Sequence, residues 1–183
     1  MKSRIAVSVV FLLIAATVFA ADATSTPSDA QKSFDQLKAL AGSWQGTVAA
    51  PKDSGIPEGT IVKVQIRTTS RGNALVHEMY DWTKADDPTK NDHPVTMFYL
   101  DNDRLLLTHY CDAGNRPRMV ARTSPDGKTV DFDFVDVAGS TQYGHMQHVA
   151  FTFIDADHHT EEWTFLMPGD KLMRGHMDLQ RIK

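Results

Sequence analysis

Ten strand-length runs follow one another between Trp44 and Ile182, each closed by turn residues, and no helix-length apolar period separates any two of them. They span Trp44–Ala50, Thr60–Thr69, Ala74–Trp82, Val95–Asp101, Arg104–Asp112, Pro117–Thr123, Thr129–Val137, Gln147–Ile154, His159–Met167 and Lys171–Ile182. The second shows the pattern best, with Val62, Val64 and Ile66 on one face and Lys63, Gln65 and Arg67 on the other. Parallel strands need crossover helices, so consecutive strands on short turns predict an antiparallel meander. A meander this long removes its edges most simply by closing on itself. The expectation is an all-β fold, a single up-and-down antiparallel barrel of about ten strands with a short N-terminal helix. A two-sheet sandwich is the alternative.

The N-terminus has a different character. Lys2 and Arg4 precede an uncharged run from Ile5 to Ala20, followed by Ala21-Asp22-Ala23. A positive start, an apolar middle and small residues at the end describe a secretory signal peptide cleaved near Ala20 to Ala23. The run is short for a membrane span. The expected organisation is a signal peptide over 1–20, a flexible lead-in over 21–29 and one barrel domain over 30–183, in a secreted or periplasmic protein with no stable membrane insertion after cleavage. Ser28 or Asp29 can cap a helix through about Ala41, with Phe34, Leu37, Leu40 and Ala41 on one face. Removal of Lys2 and Arg4 takes the formal charge from −4 to −6, which argues against a basic nucleic-acid surface. The single cysteine, Cys111, precludes an internal disulfide, so packing alone must hold the fold.

Leu40-Ala41-Gly42-Ser43-Trp44-Gln45-Gly46 resembles the Gly-x-Trp opening of the calycins, which include lipocalins, fatty-acid-binding proteins and nitrobindin-like haem barrels. The resemblance implies a lipocalin-like barrel whose first-strand Trp44 packs under a basic side chain of the last strand, Arg181 or Arg174. Leu107–Met119 with Gly144-His145-Met146 is similar to a group of secreted bacterial calycin-like proteins, a resemblance that implies no particular activity. The nitrobindin-like branch has a fuller glycine motif, with Val48 here standing where a third glycine would be. That branch implies haem as an alternative cofactor, with His176 as its axial ligand; otherwise no cofactor is expected.

The chemistry-bearing residues concentrate at one place. The fifth strand leaves its apolar run for His109-Tyr110-Cys111-Asp112, then passes through Gly114-Asn115 into Arg116-Pro117-Arg118. A turn needs only Gly and Asn, so the extra polar groups point to a binding end built by His109, Tyr110, Cys111, Asn115, Arg118, His145 and Glu78. His109 and Cys111 share a face with Leu105 and Leu107, but the sequence does not say which face is inward. Arg118 could hold a ligand carboxylate, or pair with Glu78 or Asp136. His145 and His148 lie three apart, and His158-His159 lie beside Glu161-Glu162. Neither spacing converges on a strand, so no metal site is expected and these side chains are expected in solvent.

No nucleophile elbow, phosphate loop or dinucleotide fingerprint is present, and no acid evidently orients a Cys111–His109 pair. Binding is expected ahead of catalysis, and the enzyme question stays open. The leading reading is a barrel that holds a small, partly apolar ligand, lined by Met79, Met97, Tyr99, Phe132, Phe134 and Trp163. The alternatives are the haem barrel and a structural or partner-binding domain with a filled core; protein partners are left unknown.

Overall fold

A computed structural model describes residues 26–81 and 87–183. The expected signal peptide, most of the lead-in and the start of the loop after Trp82 lie outside these residues. One helix, α1 (Asp29–Ala39), precedes ten strands: β1 (Gly42–Ala49), β2 (Ile61–Thr69), β3 (Ala74–Asp81), β4 (Val95–Asp101), β5 (Arg104–Tyr110), β6 (Arg116–Thr123), β7 (Thr129–Ala138), β8 (His145–Asp155), β9 (His158–Met167) and β10 (Lys171–Arg181). Each strand pairs antiparallel with its chain neighbours, and β1 pairs with β10, closing the barrel. Gly46 permits that seam. A Cβ there would lie 1.7 Å from the Asp178 carbonyl oxygen across the β1–β10 pair, closer than any side chain tolerates.

The helix plugs one end. Ser28 caps it, its Oγ accepting from the Gln31 N–H at 3.2 Å, and the apolar face delivers Phe34, Leu37 and Leu40 into the core. Trp44 follows, fully buried, its indole N–H donating to the Leu40 carbonyl at 2.8 Å. The Arg181 guanidinium lies 4.1 Å over the Trp44 ring and donates to the carbonyls of Ala39 and Ala41. One side chain of the last strand thus stacks on the indole and satisfies carbonyls left bare at the helix C-terminus. Gly42 makes room, because a Cβ would meet Arg181 Nη1 at 2.5 Å, and its φ of +143° suits glycine. Arg174, the other candidate for this closure, lies exposed near the opposite end of β10.

Strand alternation decides the interior. On β5, Leu105, Leu107 and His109 turn inward with β4's Thr96 and Phe98. Met97 and Tyr99 therefore lie on the outer face, a correction to the expected lining. Phe132 is buried, and Phe98, Phe132 and Phe151 form edge-to-face contacts at 5.4–6.2 Å across the barrel.

Candidate functional site

Above the aromatic layer the interior turns polar. Glu161 of β9 is completely buried, and its carboxylate accepts from three donors. His77 Nε2 lies 3.0 Å from both oxygens, His159 Nε2 lies 3.0 Å from Oε1, and the Trp163 indole N–H donates to Oε2 at 2.8 Å. A carboxylate only accepts, so both imidazoles present a protonated Nε2 to it. Burial alone would favour the protonated acid, but the nearby His77 and His159 outweigh it and hold Glu161 well below the usual carboxylate range. His159 in turn meets Trp44 edge-on at 4.2 Å. A continuous stack therefore rises from the closed end: Arg181, Trp44, His159, Glu161, then His77 and Trp163.

His109 stands at the top of this stack, its ring 5.3 Å from that of Trp163. Its Nδ1 is 2.8 Å from Thr96 Oγ1, while its Nε2 is buried and meets no protein partner among the described residues. Burial first, and then the nearby His77, push its pKa down to about 3, so the ring is neutral at ordinary pH.

Beyond His109 the barrel is not filled. A cavity of about 560 Å³ opens at the end opposite α1, in the size range of small-molecule sites. Its floor and walls carry His109, Cys111, Val62, Trp163, Phe165 and five methionines, Met79, Met146, Met167, Met173 and Met177. Asp92, Asp112 and Arg174 bring charge to it, and Gly175 contributes a stretch of bare backbone. Burial is the main influence pushing the Cys111 thiol up to about 11, so it is a neutral, weakly reactive group rather than a thiolate.

This barrel has solved counterparts. It superposes on Rv2717c from M. tuberculosis with a TM-score of 0.61, covering 82% of this chain and 98% of that one at 15% identity. It also superposes on a DUF3598-family protein of unknown function from Nostoc punctiforme, with a TM-score of 0.51 at 10% identity. That match covers 80% of this chain and 49% of the Nostoc protein, about half its length. At such identities the likeness is one of fold. No protein-family profile and no curated protein matches the sequence.

The residues singled out from the sequence divide into three groups. His109 and Cys111 line the cavity. Asn115 and His145 are buried and hold the chain in place: Asn115 Nδ2 donates to the carbonyls of Ser140 and Gly144, and His145 packs on Phe134 at 4.6 Å. Glu78, Tyr110 and Arg118 face outward. Glu78 and Tyr110 have the opposite parity to the inward His77, Met79 and His109, and together border a groove beside Pro88–Asp92. Arg118 forms an exposed, two-point ion pair with Asp136. A register shift between Arg118 and Met119 causes this: Met119 faces Phe134, Arg118 faces Asp136, and Val135 is the extra residue. The bulge reverses the alternation that would have turned Asp136 inward after Phe132 and Phe134.

His176, the axial ligand of the haem alternative, is exposed and alternates with the cavity-lining Gly175 and Met177, so it points away from the interior. One more expectation is corrected. His159 and Glu161, expected in solvent, are the most deeply buried polar residues of β9. A signal for them exists: both share alternation with Trp163, an expected lining residue, as His77 does with Met79.

Proposed function

We propose that this protein is a calycin-like carrier, exported from the cell, that holds a small and largely apolar molecule in the open end of its barrel. The observation that carries the reading is the 560 Å³ cavity, walled by methionines and aromatic rings above a filled and sealed lower half. A domain serving only as structure has no need to leave such a cavity unpacked, since unfilled apolar space costs stability. The Trp44–Arg181 closure beneath an N-terminal helix supports the calycin affinity. Export rests on Lys2, Arg4 and the apolar run that follows. The protonated Cys111 thiol and the neutral His109 favour binding over thiol catalysis.

Native mass spectrometry of the protein purified without organic solvent tests this reading. A noncovalent adduct of small-molecule mass is expected, absent from Gly175→Phe. A Cβ at Gly175 meets only Val48 Cγ1, at 3.9 Å, so that phenyl ring can enter the cavity without displacing backbone. An adduct retained by Gly175→Phe, or bare protein in every gentle preparation, contradicts the proposal.

A further inference from the structure

We infer that the cavity selects an uncharged, ring-bearing molecule that presents one hydroxyl group to Nε2 of His109. The inference rests on the carrier reading and specifies its ligand class. Three observations converge on it.

The first concerns hydrogen bonding. His109 is 1% exposed, it lines the cavity, and Thr96 already occupies its Nδ1. His109 is the one histidine among the residues that line the cavity, and its Nε2 is buried without a protein partner among the described residues. If the Thr96 hydroxyl donates to Nδ1, Nε2 carries the hydrogen; if Nδ1 donates, Nε2 is an acceptor. A hydroxyl answers both cases, because it can accept or donate.

The second is charge. Among the described residues lining the cavity, Arg174 is the sole cation, and it is exposed. Asp92 and Asp112 stand at the same opening, with the Asp112 N–H donating to Asp92. A ligand carboxylate or phosphate would therefore pass two like charges and lie against a neutral imidazole with no buried cation to pair with. A ligand ammonium would meet Asp92 and Asp112 only at the opening and would find no open acceptor below, because Glu161 already accepts from His77, His159 and Trp163.

The third is the wall. Five thioethers with Trp163 and Phe165 make a polarisable surface that adapts to flat rings, and sulfur–aromatic contacts are favourable. Branched aliphatic side chains, which would suit a flexible alkyl chain equally well, contribute only Val48, Ile56 and Val62.

The test uses the full mature protein and three compounds of one shape: 2-naphthol, 2-methylnaphthalene and 2-naphthoate, titrated near neutral pH by tryptophan fluorescence. The naphthoate is expected to bind weakest. The methyl compound is the more hydrophobic, so the readout is the ratio of the 2-methylnaphthalene Kd to the 2-naphthol Kd, in wild type and in His109→Phe. The ratio should fall by about tenfold or more in the variant, the scale expected when a buried polar atom loses its partner. A wild-type measurement stands beside it: 2-naphthol, and not 2-methylnaphthalene, should shift the 15N resonance of His109 Nε2. An unchanged ratio, no Nε2 shift, or naphthoate binding as tightly as naphthol overturns the inference while leaving the carrier reading intact. If none of the three compounds binds, both fall.

Discussion

Lowering the pH should weaken the fold through His109 before Glu161 is affected. In the folded protein the ring is neutral, with its pKa pushed from 6.5 down to about 3 by burial and by His77. In the unfolded chain it titrates near 6.5, so between these values the unfolded state binds the extra proton. Stability is therefore complete above pH 6.5 and is lost as the pH falls toward 3. The loss is about 1.4 kcal/mol per pH unit, or about 2 kcal/mol between pH 7.5 and 5.0. Glu161 has the opposite origin but the same sign: its depressed carboxylate contributes stability above its unfolded pKa, and that is lost only at more acidic pH. The window above pH 5 thus separates His109 from Glu161. Urea unfolding at a series of pH values, on wild type and His109→Leu, measures the effect. The two proteins differ only at this position, so the difference in slope belongs to His109. Parallel curves between pH 7.5 and 5.0 would show that His109 is protonated or solvated in the native state, and would refute the reasoning.

Three other substitutions probe the rest of the barrel. Trp44→Ala removes a fully buried indole and the surface on which Arg181 lies, and should cost about 3–5 kcal/mol in urea unfolding; an unchanged midpoint would show that the closed end contributes nothing to stability. Glu161→Ala leaves the donors of His77, His159 and Trp163 without their acceptor inside the barrel, and should cost at least about 3 kcal/mol; a smaller cost would mean that the two imidazoles find other partners. His176→Ala should leave the Soret absorbance of haem-titrated protein unchanged, because this imidazole lies outside the barrel; loss of the band would place a haem on the outer face.

The strands are legible in the sequence because each ends in residues that force a turn. Val95–Asp101 has the same limits in both readings, and most other boundaries agree within two residues. The short helix is legible for the same reason, with Ser28 at its cap and Gly42 beyond its end. Inward and outward are harder to read. Leu105, Leu106 and Leu107 are all buried, so β5 lacks the contrast that would orient His109 and Cys111. The bulge at Val135 leaves no mark in composition, yet it decides that Asp136 and Arg118 meet outside the barrel. The buried His77–Glu161–His159 group is hard to read because charged and imidazole side chains suggest solvent, outweighing the alternation with Trp163, and the His77–Glu161 contact joins strands far apart in sequence. The polar cluster after His109 is conspicuous partly for a structural reason, since Asn115 ties down the connection that leads into Gly144.

The central claim is that the upper half of the barrel is an open binding cavity, and titration with the neutral fluorophore N-phenyl-1-naphthylamine tests it most directly. Wild type should enhance the emission saturably at one fluorophore per chain, Gly175→Phe should abolish the enhancement while keeping the wild-type circular dichroism spectrum, and outer-face Arg118→Ala should match wild type. Equal enhancement by wild type and a folded Gly175→Phe would place the fluorophore elsewhere and contradict the account, as would no enhancement by wild type at all.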